Sequence, residues 1–149
     1  MGAVMPAIGH WQRWRLLLDI WIAARFLPFR IRGKSFSEIL RLAEHGNQGD
    51  VPHLPVPDIA RFVRKAVRNP ILMRDRRCLR AGLVGYEYLR RAGYRPQLHF
   101  AVDEGSIGSP RISAHCWVSI DGEEVINNRM DGQVTIYVHP SQTGATKGQ

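Results

Sequence analysis

The chain has 149 residues, 44% hydrophobic and 23% charged, with 21 Lys and Arg against 13 Asp and Glu for a formal charge of +8. That length predicts one domain whose core needs neither disulfides nor metals, and two cysteines, Cys78 and Cys116, are too few for a disulfide framework and point to a reducing cytoplasm. The charge predicts attraction to polyanions, acidic peptides or acidic proteins without choosing among them. A membrane span is not expected, because the most apolar stretch, Leu16 to Leu27, carries Asp19 and Arg25 and stops at Pro28, short of the ~20 apolar residues a spanning helix needs.

Residues 1–9, rich in Gly, Ala and Pro without a period, read as a flexible lead-in. From Trp11 to Phe26 the residues Trp14, Leu17, Leu18, Trp21 and Ile22, with Leu27 as a further candidate, recur at steps of three and four, the stripe of an amphipathic helix that ends before Pro28; its Trp11, Trp14 and Trp21 side reads first as core and second as a dock for a partner or leader peptide. Ser35 with Glu38 three residues on forms a capping box for a second helix through Ala43, which Gly46 ends. Gly46 to Pro57, with its prolines and glycines, reads as a linker or ordered loop. A third helix starts at Pro57-Asp58, its apolar side Ile59, Phe62, Val63, Ala66 and Val67, its outer side Arg61, Arg64, Lys65 and Arg68. Those cations read first as a solvated face and second as a site for an acidic leader or partner. A fourth helix spans Cys78 to Ala92, with Leu79, Leu83, Tyr86 and Leu89 inward and Gly93 as its stop.

Beyond Gly93 the period falls to two, predicting strands at Gln97–Val102, Ile112–Ile120, Glu123–Ile126 and Val134–Val138, with a tight hairpin at Asp121-Gly122. Residues 140–149 read as a disordered tail. Within 10–139, a single domain, residues 10–56 form a helical part and 57–139 the core. Helices packed on a small antiparallel sheet make the fold class α+β.

Cys78 carries the chemistry in this reading. In the first turn of its helix the thiol sees the positive end of the dipole, and Arg76, Arg77 and Arg80 add charge that lowers its pKa. His115, on a downstream strand, supplies the base of a Cys-His pair. A lone cysteine is more often a buried structural thiol, and only this context makes it a nucleophile. Cys116, next to His115 in the strand, points to the opposite face and reads as core filler. The remaining histidines have no ligand spacing, so no metal and no cofactor is expected.

The order helix-with-cysteine, strand-with-histidine, polar residue on the adjoining strand is the layout of papain-like and transglutaminase-like enzymes. The segments Cys78-Leu79-Arg80-Ala81, Leu89-Arg90-Arg91-Ala92-Gly93-Tyr94, Gln97 to Val102 and Ala114-His115-Cys116-Trp117-Val118-Ser119-Ile120-Asp121-Gly122 resemble the transglutaminase-like leader peptidase of lasso peptide biosynthesis, the cysteine protease half of the bacterial protein B. The resemblance is specific from about Ile59 to Asn128. It implies a cytoplasmic cysteine endopeptidase that separates leader from core in a ribosomally made precursor peptide, with Cys78 as nucleophile and His115 as base. A stand-alone form implies a separate PqqD-like leader-binding protein and a downstream lasso cyclase as partners.

In that family an aspartate twelve residues after the histidine orients it; here the position is Asn127. An asparagine can orient an imidazole through its side-chain carbonyl, as in Cys-His-Asn proteases, and should give a weaker ion pair or slower turnover. A strict two-residue turn at Asp121-Gly122 would instead put Asn128 opposite His115, and a three-residue loop or a bulge restores Asn127. Two rivals stay open: an acyltransferase of the same fold, and a catalytically silent basic scaffold for an acidic peptide or nucleic acid. No stacking-aromatic or recognition motif for nucleic acid is present.

Overall fold

A computed structural model describes residues 8–73, 76–110 and 114–140. Most of the expected lead-in, nearly all of the expected tail, Asp75 and the first residues of the expected Ile112 strand lie outside the described residues. Four helices, α1 (His10–Ile31), α2 (Phe36–Ala43), α3 (Val56–Val67) and α4 (Arg77–Arg91), accompany strands β1 (Gln97–Asp103), β2 (Ala114–Ile120), β3 (Glu123–Ile126) and β4 (Gln133–His139). The strands form one antiparallel sheet in the order β3-β2-β1-β4, and the arrangement is α+β. No described helix is long and apolar enough to cross a membrane.

Helix α1 corrects the expectation in two ways. It runs through Pro28 instead of stopping before it. A proline inside a helix has no N–H for the carbonyl four residues back, which here is Ala24. That carbonyl has another donor: Arg80 of α4, only 2% exposed, gives a hydrogen bond from Nη1 to Ala24 O at 2.6 Å, and a longer one to Arg25 O at 3.3 Å. Arg80 is therefore a clamp between two helices. The buried stripe is also a different one. Leu16, Ile20, Ala24, Leu27 and Ile31 face the core, whereas Trp11 is 79% and Trp14 54% exposed, and Trp21 is half-buried. This helix is apolar nearly all round, so spacing alone fits more than one face; the smaller residues, Ala24 among them, permit the close approach to its neighbours.

The other helices follow their sequence signals closely. Ser35 and Glu38 form the capping box reciprocally, Ser35 N donating to Glu38 Oε2 at 2.7 Å and Glu38 N to Ser35 Oγ at 3.4 Å. Those bonds from Ser35 hold the Glu38 carboxyl below its usual range. Helix α3 carries Pro57 in its first turn, buries Ile59, Phe62, Val63, Ala66 and Val67, and leaves Arg61, Arg64, Lys65 and Arg68 exposed.

Helix α4 is more deeply set than one apolar side would require. Every residue from Arg80 to Leu89 is buried, because α4 packs on α1, α2, α3 and the sheet together, while Leu79, expected inward, is half-buried. Two glycines let it lie close to the strands: a Cβ at Gly82 would stand 2.6 Å from Cys116 Sγ, and one at Gly85 would collide with Ile126 Cδ1. Each glycine forgoes ~1 kcal/mol of helix propensity relative to alanine, offset by the packing it permits.

In the sheet, Asp121 (φ 52°) and Gly122 (φ 82°) take the positive angles of a two-residue hairpin, and Ile120 pairs with Glu123. The register then shifts between Val118 and Ser119, where a bulge moves Val118 opposite Ile126. That extra residue redirects the chain after β3, and Asn127 leaves the ladder in the left-handed region at φ 55°.

Candidate active site

Cys78 occupies the second residue of α4, half-buried. At a helix start the first backbone N–H groups have no acceptor four residues back, so they face outward with the positive end of the dipole. The residue before the helix, Arg76, is held at φ 51° and ψ 38° with no side-chain cap. Among the described residues only Arg76, Asp121 and Asn127 combine a side chain with positive φ, and two of the three flank the thiol. Backbone held in this region costs ~1–2 kcal/mol per residue and persists where its surroundings over-determine it.

The thiol lies against β2. Cys116, 1% exposed and beneath the start of α4, brings its Sγ within 3.0 Å of Cys78 O and into hydrogen-bond contact with the Cys78 sulfur. The Cys116 thiol has one proton and two acceptors, and an ionised Cys78 draws that proton to itself. This hydrogen bond is the largest cause that brings the Cys78 pKa down from 9.0 to about 5; bonds from His115 and from Cys116 N–H add to it, with the His115 charge a smaller contribution, and partial burial opposes. The same bond, with burial, pushes the Cys116 thiol well up, so Cys116 remains the donor. Cys116 does face away from His115, as strand alternation requires, but that face is the one on which α4 lies. Core filler is thus an incomplete description of it.

His115 reaches Cys78 from the strand edge. Its Nε2 lies 2.8 Å from the backbone carbonyl of Asn128, which can only accept, so Nε2 carries a proton and Nδ1 is left for the thiol. Trp117 flanks the imidazole, ring centroids 6.1 Å apart at 24°.

Asn127 stands beside the pair, though not in the expected contact. Its Nδ2 donates to Cys78 O at 3.1 Å and to Cys116 O at 2.9 Å. Both partners are carbonyls, so the amide orientation is unambiguous: only the NH2 end can face them. The structure therefore corrects the contact, not the location. Asn127 ties the first turn of α4 to β2, and the group that holds the imidazole is Asn128 O. A side-chain pattern could not reveal an orienter in the backbone, but the approach of Cys116 to the start of α4 was readable from the face on which that helix must pack.

A cleft of ≈ 780 Å³ opens onto the thiol, walled by Arg61, Arg64 and Lys65 of α3, by Arg68 just past its end, and by Arg77 and Asn127 near Cys78. Among the described residues no group of three or more His, Cys, Asp and Glu is placed to hold a metal. The arrangement equips Cys78 for attack on a carbonyl carbon, with an imidazole for the proton transfers.

One expected result follows directly. Alkylation of Cys78 by iodoacetamide should titrate with a midpoint near 5 and be level through neutral pH, because thiolate is the reactive form. Cys116→Ala should move that midpoint upward, and Cys116→Ser, which keeps a donor, should move it less. A parent midpoint near the ordinary thiol value would refute the hydrogen-bonded thiolate.

A family model described as the transglutaminase-like superfamily matches residues 23–138, which takes in α2, α3, α4, the sheet up to but not including the last residue of β4, and the last nine residues of α1. No curated protein and no solved structure is similar enough to give a match. The match covers most of the chain, and the helix-borne Cys78 against a strand-borne His115 lies inside it: the chain belongs to the transglutaminase-like superfamily.

Proposed function

We propose that this protein is a cysteine endopeptidase that removes the leader from a ribosomally made lasso precursor peptide. The observation that carries the reading is Cys78 in the first turn of α4, set against Cys116 and His115, with Asn127 tying that turn to β2 and Asn128 O holding the imidazole; these neighbours lower the thiol pKa. The superfamily includes cysteine proteases, and the text around Cys78 and His115 resembles the lasso leader peptidase.

The reaction runs in two halves. The Cys78 thiolate attacks the carbonyl carbon of the leader–core bond, and the oxyanion that forms is met by the Cys78 N–H at the helix start. Collapse breaks the C–N bond as imidazolium His115 gives its proton to the departing amine, leaving a thioester. Neutral His115 then takes a proton from water, whose oxygen attacks the thioester carbon; the C–S bond breaks, the leader leaves as an acid that gives its second water-derived proton to solvent, and the thiolate–imidazolium pair is restored. Asn127 keeps the two elements of the pair in register. A PqqD-like leader-binding protein presents the precursor, and a lasso cyclase takes the released core.

The test is mass spectrometry of a candidate precursor incubated with this protein and its leader-binding partner. A leader fragment ending in a free carboxylate, absent with Cys78→Ala, is the expected result. An amine adduct of the leader in place of the acid would identify an acyltransferase, and intact precursor with an unreactive Cys78 would overturn the enzymatic reading.

A further inference from the structure

The outer face of α3 has no role in the reaction just described. Arg61, Arg64, Lys65 and Arg68 lie at steps of three and four, so they share one face, and that face forms a wall of the cleft that ends at Cys78. Arg77 also lines the cleft, its Nε donating to Met73 O at 3.2 Å, and that carbonyl carries no charge to balance it. Asp58 holds Arg61 at 2.7 Å and Arg13 at 3.1 Å, and among the described residues no carboxylate lines the cleft itself. Among the described residues no carboxylate pairs with Arg64, Lys65, Arg68 or Arg77.

Four like charges around one concave surface repel one another and focus a positive potential on the space between them. From these placements we infer that the cleft takes an acidic segment of the peptide acyl donor, so that Glu or Asp side chains on one side of the bond presented to Cys78 lie against Arg64, Lys65, Arg68 and Arg77. The inference rests on the reading of Cys78 as a nucleophile toward peptides and adds the substrate class. A peptide fits these walls better than a nucleic acid does: the apolar wall is Val67 and Ala81, and among the described residues no aromatic side chain lines the cleft for bases to stack upon.

The test uses the full chain carrying Cys78→Ala and a fluorescein-labelled peptide of alternating Glu and Ala, read by anisotropy at low salt. The triple variant Arg64→Gln, Lys65→Gln, Arg68→Gln should bind about tenfold more weakly, with loss of most of the salt dependence. Its equal in net charge, Arg32→Gln, Arg41→Gln, Arg95→Gln, removes exposed cations that do not line the cleft and should change affinity by less than about twofold. Thermal melts of both variants establish that they fold. Equal weakening by the two triples would overturn the inference, since the attraction would then be the net charge. So would equal binding of a Lys-Ala peptide, or binding of oligothymidylate as tight as the Glu peptide and equally dependent on the α3 cations. Iodoacetamide labelling of the parent separates this from the reading beneath it. A reactive Cys78 with no acidic preference refutes only the cleft, and a bound peptide over an inert Cys78 refutes the acyl-donor assignment.

Discussion

Asn127→Asp should lower turnover in the proposed leader cleavage by about a hundredfold, although it restores the residue that the lasso leader peptidase pattern carries at this position. The native amide gives both of its N–H bonds to carbonyls, Cys78 O and Cys116 O. A carboxylate has no proton to give, so the same two carbonyls would face an acceptor, and two hydrogen bonds worth ~1 kcal/mol each would become repulsions. The new charge would also stand beside Cys78, where it disfavours the thiolate, and the alkylation midpoint should rise. Asn128→Ala is the counterpart. Its side chain is dispensable to His115 because the contact is through Asn128 O, and turnover should stay within about twofold of the parent. Steady-state kinetics on the precursor, with the alkylation profile as a second readout, decides the matter. A fully active Asn127→Asp protein, or a large loss in Asn128→Ala, would mean that a side chain at one of these positions orients the imidazole instead.

The contrast between Asn127 and Asn128 marks where sequence reading succeeds and where it stops. Periodicity and turn chemistry identify the hairpin at Asp121-Gly122, the capping box at Ser35 and the apolar side of α3, because each is a local pattern with a local cause. The same local rules place Cys78 in the first turn of a helix and His115 on a strand. What they do not contain is which carbonyl meets the imidazole, since the bulge at Val118/Ser119 sets that and a bulge has no strong side-chain signature here. The exposed tryptophans of α1 fail for a related reason: when one helix has apolar residues on several faces, the choice of buried face belongs to its neighbours. Pro28 is the third case. A proline stops a helix by the donor it lacks, and that rule yields when a distant arginine supplies the donor.

That substitution of donors sets the expectation for Arg80→Met, which should lower stability by about 3 kcal/mol and Tm by about 10 °C. Methionine approximates the length of the arginine stem and fills part of its space, so the loss is chiefly polar. Ala24 is fully buried and its carbonyl has no N–H from Pro28, so without Arg80 Nη1 it would be desolvated and without a donor. The decisive comparison is with Pro28→Ala. An alanine at position 28 brings back the N–H that reaches Ala24 O within the helix, and in the Arg80→Met background it should recover ~1 kcal/mol more than it adds to the parent. Chemical denaturation of the parent, the two single variants and the double variant measures this coupling. Strict additivity would show that Arg80 stabilises α1 by packing alone, leaving the continuation of the helix through Pro28 to be explained by something other than the Arg80–Ala24 bond.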